Sequence, residues 1–270
     1  MLLISVIQLG TIDYATGLSL QQRLVELCKQ GRIGDVLLLL EHSAVITLGR
    51  NAKRTNILAS AEVLADRGVE VFECDRGGDV TFHGPGQLVG YPIFDLRGFP
   101  TPDGKRKTLG AIEYVRRLEE VLIRTCADFA IPAKRICGLT GVWTASSTDK
   151  DKDDKDTDEG KIAAIGVHIS RGVTSHGFAL NVNTDLDYFK LIIPCGITAK
   201  PVTSMAKELG RHFSSQEVAH SLSRNFGLIF ESQMLWLENL DALLNHAVGV
   251  PVKPPGELRQ LRKEEDTFWA

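Results

Sequence analysis

A cysteine and a lysine are the two side chains of this sequence that are best suited to covalent chemistry. Cys195 lies in IIPCGIT, between Pro194 and Gly196, and this context predicts a turn after an apolar run. A loop cysteine held between conformationally special residues is a candidate nucleophile. It needs a neighbouring group that favours the thiolate, because a free thiol with a pKa of about 8.5 is mostly protonated at neutral pH.

Lys161 is a candidate for the group that handles protons beside such a nucleophile. It heads the apolar stretch KIAAIGVHIS, directly after Gly160. A lysine held partly desolvated against a sheet can take up and release protons near neutral pH. The competing interpretation is a solvated lysine at a strand end, and the residues alone favour that interpretation.

A glycine-rich stretch, RGGDVTFHGPGQ at residues 76–87, predicts a ligand groove. Glycine without a side chain permits positive φ or a close approach of backbone to ligand. The alternative is a bulged hairpin turn, but Arg76 and His83 place polar groups beside the bare backbone, which favours a ligand site. The stretch matches neither GxxxxGK[ST] nor GxGxxG before a helix, so it does not predict a nucleotide loop.

Three histidines are rival partners for a reactive thiol. His83 belongs to the glycine-rich stretch, whereas His168 and His176 fall in paired strands, where a core histidine is the more common situation. Cys28 and Cys126 lie on apolar helix faces and are predicted to be core residues. The five cysteines form no CxxC pair and no zinc-like spacing with histidine, so no metal site is predicted.

Composition predicts a soluble cytoplasmic protein with one main domain. The chain has 270 residues, 43% of them hydrophobic, and a net charge of -3 at pH 7. Its lysines and arginines are spread along the chain, which argues against nucleic acid as a partner. The apolar run VLLLL is too short to cross a membrane, and MLLISVIQLG lacks the features of a leader peptide.

The apolar patterns predict alternating strands and helices. In order, they are a strand LLISVIQL, a helix over about residues 17 to 30, a hairpin GDVLLLLEHSAVITLGR split at EHS, a short helix SAEVLADRG, strands VEVFECD and QLVGYPIFDL, a helix over about 108 to 129, a hairpin of KIAAIGVHISRG with VTSHGFALNVN, and a helix over about 214 to 227.

Two segments lack apolar periodicity. TASSTDKDKDDKDTDEG, at residues 144–160, is predicted to be a disordered acidic insert; it lacks the glycine and glutamate positions of a calcium loop. The tail VPVKPPGELRQLRKEEDTFWA is rich in proline and charge and is predicted to lie on the surface. We therefore expect a domain of residues 1–230 that carries the insert, followed by a C-terminal extension of residues 231–270.

Taken together, RGGDVTFHGPGQLVGYP, GKIAAIGVHISRGVTSHGFALNVNTDL and PCGI resemble the lipoyl(octanoyl) transferases over roughly residues 3 to 230. The resemblance implies an α/β (α+β) fold like that of biotin and lipoate protein ligases, with a mixed, largely antiparallel sheet flanked by helices. It also implies that the bare backbone forms one wall of the groove for an eight-carbon acyl chain.

The family's roles fall on particular positions of this sequence. The nucleophile falls on Cys195 and the catalytic lysine on Lys161, which overturns the solvated interpretation of that lysine. The implied substrate-contacting residues are Arg76, Gly77, Gly78, Asp79, Val80, Thr81, Phe82, His83, Ala164, Ile165, Gly166, Gly177, Phe178 and Ala179.

The implied reaction moves an octanoyl group from octanoyl-acyl carrier protein to a lysine of a lipoyl domain, through a thioester on the cysteine. The implied acceptors are the lipoyl domains of 2-oxoacid dehydrogenase complexes and the glycine cleavage H protein. No cofactor and no metal is implied, and a monomer is expected.

Three other functions remain open at this point. An ATP-dependent lipoate-protein ligase shares the fold but would not need the PCGI cysteine. A non-catalytic acyl-binding module would keep the groove without Cys195 and Lys161. A cysteine hydrolase would pair Cys195 with His83 or His176, and it would tolerate loss of Lys161 better than a transferase would.

Overall fold

Strands and helices alternate along the chain. The computed structural model describes residues 2–101, 108–145, 159–194 and 200–246. The strands are β1 Leu2–Ile12, β2 Asp35–His42, β3 Val45–Leu48, β4 Glu70–Glu73, β5 Val80–His83, β6 Gln87–Ile93, β7 Ala133–Ile136, β8 Leu139–Thr144, β9 Lys161–Ser170, β10 Val173–Asn181 and β11 Ser232–Leu237. The helices are α1 Tyr14–Lys29, α2 Ala61–Asp66, α3 Ala111–Asp128, α4 Met205–Leu209, α5 Ser215–Ile229 and α6 Leu240–His246.

Eight strands form the main sheet in the order β11-β1-β2-β6-β10-β9-β8-β7. β1 pairs in parallel with β11 and with β2, and every other neighbouring pair of this sheet is antiparallel. The predicted late hairpin is confirmed as β9 and β10, with positive φ at Arg171 and Gly172 in the turn. The sheet is therefore mixed and largely antiparallel, which confirms the predicted fold class.

The hairpin predicted around EHS is wrong. β2 lies inside the main sheet, whereas β3 belongs to a second sheet of three strands in the order β4-β3-β5. Both apolar runs are largely buried, so their composition does not reveal which neighbour each strand pairs with. The glycine-rich stretch contains β5 of the small sheet and ends at the first residue of β6 in the main sheet, so it is not a hairpin turn within one sheet.

Helices cover both faces of the main sheet. α3 and α5 pack against each other on one face, where Leu118 and Leu222 share a core with Leu180. α1 covers the other face, where Leu24 shares a core with Val36. Among the helices in the described ranges, none is long and apolar enough to span a membrane.

Part of the predicted C-terminal extension contributes to the fold. β11 pairs with β1 from Leu2 opposite Ser232 to Ile7 opposite Leu237, and α6 packs against β11. The apolar patterns of the sequence did not predict this strand or this helix. The rest of the extension, residues 247–270, and residues 146–158 of the predicted acidic insert lie outside the described residues.

The core thiols are placed as the sequence predicts. Cys28 and Cys126 are both buried. Burial raises the pKa of each thiol to about 12, so neither is a thiolate at neutral pH.

Asp35, at the start of β2, gives the fold a pH-dependent weakness. Burial, and after it the nearby charge of Asp95, raises the pKa of Asp35 to about 7. An unfolded aspartate has a pKa of about 3.9. Between these two pKa values the folded chain binds the extra proton, so stability falls as the pH rises from about 4 to about 7.

We expect Asp35→Asn to be more stable than the wild type by about 1–3 kcal/mol at about pH 8 and no more stable at about pH 4. The amide oxygen still accepts the hydrogen bond from Asp95 N, 2.7 Å away, but the side chain cannot ionise. Urea unfolding at both pH values measures the two differences. If Asp35→Asn differed from the wild type in free energy of unfolding by the same amount at both pH values, the raised pKa of Asp35 would be contradicted.

Candidate functional site

Three segments from distant parts of the sequence line one pocket beside the main sheet. They are the loop 76–79, residues 164–166 of β9 and residues 177–179 of β10. The antiparallel register of β9 and β10 sets Gly177 opposite Gly166 and Ala179 opposite Ala164. The pocket contains about 470 Å³ of space free of protein atoms, and this volume includes solvent at its mouth.

Backbone packs directly against backbone on one wall of this pocket. The Gly77 N–H donates to the carbonyl of Val167 on β9 at 3.0 Å. A Cβ at Gly166 would lie only 2.7 Å from the Gly77 oxygen, closer than real Cβ contacts allow. The glycines are therefore required for the loop to lie on the strand.

All residues predicted to contact substrate, except Val80 and Phe82, line this pocket. Successive residues of a strand face opposite sides. Along β5, Thr81 and His83 face the pocket, while Val80 and Phe82 are buried in the core beneath the small sheet. Substrate contact at the lining residues remains a prediction.

Arg76 is a buried part of the pocket wall, not a polar group at its rim. Its Nε and Nη2 donate to Thr47 Oγ1 at 3.1 and 2.8 Å, and Nη2 also donates to Thr47 O at 2.7 Å. Nη1 donates to Gly77 O at 3.1 Å. These bonds hold a positive charge in the wall and fix the start of the glycine-rich loop.

His83 is held in one neutral tautomer. Burial, followed by the fields of His42 and Arg76, lowers the pKa of His83 to about 3. Gln87 Nε2 donates to Phe82 O at 3.2 Å and to Asn181 Oδ1. The amide oxygen Oε1 therefore faces His83 Nδ1, at 2.7 Å. Nδ1 therefore carries the proton, and Nε2 is left as an acceptor on a ring that lines the pocket.

A chain of hydrogen bonds continues from this histidine to the start of β9. Gln87 Nε2 donates to Asn181 Oδ1 at 2.9 Å, and Asn181 Nδ2 donates to Thr203 O at 2.9 Å. The Thr203 N–H in turn donates to the carbonyl of Lys161 at 3.0 Å. The pocket histidine and the lysine backbone are thus fixed relative to each other.

Aromatic side chains form a further wall. Tyr14 stacks parallel to His83, with 6.4 Å between ring centres. Burial lowers the pKa of His42 to about 4, so its ring is neutral. Because His42 Nδ1 faces Ile12 O at 3.1 Å, Nδ1 carries the proton, and Nε2 accepts the hydrogen bond of 2.6 Å from the Tyr91 hydroxyl. Burial also raises the pKa of both tyrosines, so the phenols stay protonated.

Three residues that were not predicted from the sequence also line the pocket: Tyr14, Val89 and Tyr91. Val89 and Tyr91 are two residues apart on β6 and therefore lie on the same face of the strand. The sequence could predict both as pocket residues once it is known which face of β6 is turned to the pocket. Tyr14 begins α1, and nothing in its sequence context connects it with the glycine-rich loop.

The two histidines of the late hairpin are tied to Asp75. His176 Nε2 lies 2.8 Å from Asp75 Oδ1, and His168 Nδ1 lies 3.1 Å from Asp75 O. The backbone N–H of His176 donates to Gln21 Oε1 at 2.8 Å. Burial lowers the pKa of His176 although Asp75 opposes this. His176 lines the pocket and His168 does not.

Within the four described ranges, no three His, Cys, Asp or Glu side chains gather in a way that could hold a metal ion.

Lys161 is held against the sheet, not solvated at a strand end. The residue is only 7% exposed, and its Nζ lies 5.3 Å from the centre of the Trp143 ring. Its N–H donates to Pro201 O at 2.8 Å. The structure therefore contradicts the interpretation of Lys161 as a solvated lysine.

Cys195 lies outside the described residues, but the chain on either side of it is anchored. Before it, the Ile193 N–H donates to Asn56 O at 2.7 Å, and Asn56 Nδ2 donates to Asp79 Oδ2 at 2.5 Å. After it, Pro201 bonds to the start of β9. These flanks connect the pocket-lining loop with the strand that begins at the lysine.

Comparison with known sequences identifies one family. The chain matches the family model described as the lipoyl protein ligase A/B catalytic domain over residues 13–227. An octanoyltransferase of Koribacter versatilis is 59% identical over 263 residues, which cover 97% of this chain and 98% of that protein. An octanoyltransferase of Acidobacterium capsulatum is 56% identical over 245 residues, covering 90% and 96%.

Solved structures with the same architecture include lipoate protein ligases. A bipartite lipoate protein ligase from Thermoplasma acidophilum aligns with a TM-score of 0.65 at 15% identity, covering 91% of this chain and 92% of that chain. A lipoate-protein ligase A bound with ATP aligns with a TM-score of 0.63 at 15% identity, covering 90% and 91%. At this identity the likeness concerns the fold alone, and it confirms the predicted ligase-like fold.

Proposed function

Because the chain belongs to the lipoyl protein ligase A/B catalytic-domain family, we propose that its pocket receives an octanoyl thioester and delivers the octanoyl group to the lysine of a lipoyl domain. The reaction is octanoyl transfer, an acyl transfer of lipoate biosynthesis, as in its octanoyltransferase relatives. The donor is octanoyl-acyl carrier protein. The acceptors are lipoyl domains, including those of 2-oxoacid dehydrogenase complexes, and the glycine cleavage H protein.

One observation carries the assignment of the site. The glycine-rich loop, the β9 segment and the β10 segment converge on a single pocket, and the buried Lys161 begins the strand that forms one of its walls. Backbone and small residues leave room for a narrow acyl chain, which charged side chains would obstruct.

In the first step, the Cys195 thiolate attacks the thioester carbonyl of the carrier-bound octanoyl group. The bond from the carbonyl carbon to the carrier's sulfur breaks, and the departing thiolate takes a proton from the Lys161 ammonium. An octanoyl thioester remains on Cys195. The buried charge of Arg76 in the pocket wall favours the negative charge that develops on the carbonyl oxygen.

In the second step, the amine of the acceptor lysine attacks the octanoyl-Cys195 thioester. The Cys195 thiolate leaves, and neutral Lys161 takes the proton that the amine loses, which restores the starting state. Exchange between thioesters is nearly balanced and amide formation is downhill. The donor thioester thus supplies the driving force, and ATP is not required. The protein works as a cytoplasmic monomer.

The decisive experiment mixes the purified protein with octanoyl-acyl carrier protein and a lipoyl domain without ATP, and follows the intact mass of the lipoyl domain. We expect one octanoyl group per lipoyl domain. A parallel reaction with free octanoate, Mg²⁺ and ATP should give none. Modification only in the octanoate and ATP reaction would instead identify a ligase.

A further inference from the structure

The side chain of Lys161 crosses strand β8. Lys161 pairs with Trp143 across the two strands, with a register shift at this point. From there its Nζ reaches a position over the Trp143 ring, 5.3 Å from the ring centre. A lysine ammonium within about 6 Å of an indole centre is attracted to the ring face.

Gly141 leaves the space through which this side chain runs. A Cβ built on Gly141 would lie 2.9 Å from Lys161 Cε and 2.7 Å from Ala163 O. The residue also has a φ of 126°, which L side chains rarely adopt. Any larger residue at position 141 would displace the Lys161 side chain from its position over β8.

A buried carboxylate holds the Gly141 peptide in place. Glu119 of α3 is 1% exposed, and its Oε1 accepts the Gly141 N–H at 3.2 Å. Its Oε2 accepts Arg116 Nη1 at 2.7 Å and Arg135 Nε at 3.1 Å. Because both oxygens are bound, the carboxylate has one orientation, and β8 is fixed where it meets the lysine.

We propose that Trp143 and Gly141 are positioning residues for octanoyl transfer, because they fix the Lys161 amine in its position over β8. Glu119 holds the Gly141 peptide in place. The proposal rests on the proposed role of Lys161. Trp143 is 1% exposed and lies between β7 and β9, so its ring is itself immobilised. An immobile ring limits the positions that the ammonium can occupy.

The test compares Trp143→Leu with Trp143→Phe in the ATP-free transfer of octanoyl groups to a lipoyl domain. We expect Trp143→Leu to lower kcat by about tenfold to thirtyfold with little change in KM, and Trp143→Phe, which keeps a ring face, to stay within about threefold of the wild type. Trp236→Leu is the matched control and should leave kcat unchanged. Trp236 is 38% exposed, and its strand β11 lies at the far edge of the sheet from β7 and β8.

Two further measurements separate positioning from a loss of folding. In a Lys161→Met background, Trp143→Leu should have no additional effect on the residual rate, because its effect acts through the lysine. Acetic anhydride labelling, read by peptide mass spectrometry, should modify Lys161 faster in Trp143→Leu than in the wild type, with Lys190 as the exposed internal reference.

Two results would overturn the proposal. One is an equal loss of rate from Trp143→Leu with and without Lys161. Another is unchanged labelling of Lys161. The labelling needs no activity, so it tests the contact even if the ATP-free transfer itself fails; failure of the wild type to transfer octanoyl groups would count against the proposed function instead.

Discussion

Cys195→Ala is expected to lower octanoyl transfer to a lipoyl domain by at least about a thousandfold, because it removes the atom that carries the acyl group between donor and acceptor. The same variant should lose a directly visible product. After incubation with octanoyl-acyl carrier protein alone, the wild type should gain the mass of one octanoyl group, and the variant should gain none.

Three of the described cysteines, Cys28, Cys74 and Cys126, are poorly placed to take over this reaction because they are buried or partly buried. Burial raises the pKa of Cys28 and Cys126 to about 12. Cys74 is partly buried, and its thiol donates to Leu48 O at 3.4 Å. Cys137 is exposed. Because a thioester needs an accessible thiol, Cys137 is the described cysteine to test as an alternative nucleophile.

Cys137→Ala is the matched control for the thioester experiment. It removes an accessible thiol without touching the pocket, so both the mass increase and the transfer rate should match those of the wild type. A mass increase that persists in Cys195→Ala and disappears in Cys137→Ala would move the nucleophile to the surface cysteine and refute the assignment.

Lys161→Met is expected to lower the transfer rate by about a hundredfold to ten-thousandfold, the usual contribution of a positioned proton-transfer group. Methionine keeps much of the chain that packs over β8 but has no proton to give or take. Because the lysine is buried beside Trp143, water cannot readily replace it at the same position. The rate is measured by mass spectrometry of the lipoyl domain.

Lys190→Met controls for the loss of a positive charge. The side chain of Lys190 is 77% exposed and pairs with Asp187, so its removal should not change the rate. A Lys161→Met variant that keeps the full rate would favour the cysteine hydrolase type of mechanism, in which a histidine accepts the proton. His83, with its pKa lowered to about 3, is poorly suited to that task.

Local pattern predicted the parts of the fold in which neighbours in sequence are neighbours in space. β9 and β10 are consecutive segments joined by a two-residue turn at Arg171 and Gly172, so their pairing follows from the sequence. The glycine-rich stretch predicted a pocket wall because a backbone so poor in side chains is suited to close packing against a strand or a ligand. The helix faces placed Cys28 and Cys126 in the core.

Pairing between distant segments could not be predicted in the same way. The apolar runs on either side of EHS have the composition of a hairpin, but β2 and β3 enter different sheets because each is buried against strands from elsewhere in the chain. β11 is short and only partly apolar, and its pairing with β1 is what makes it a strand of the main sheet.

The surroundings of charged side chains were also out of reach of the sequence. The sequence predicts Arg76 as a polar group beside a ligand groove, but its guanidinium is bound to Thr47, which is distant in sequence, inside the pocket wall. The burial of Lys161 depends on Trp143 and on the empty position at Gly141. Neither contact follows from spacing, and only the resemblance favoured a catalytic Lys161 over a solvated one.

The parallel pairing of β11 with β1 determines where the chain can be shortened. Residue 230 is where the predicted catalytic domain ends, and a protein cut there would lack the strand that covers Leu2–Ile7. The backbone N–H and C=O groups along that side of β1 would then face solvent at the edge of the main sheet. Exposed strands of this kind pair with other molecules. Truncated forms should therefore retain residues up to the end of α6, and fusions are better attached beyond residue 246 than at residue 230.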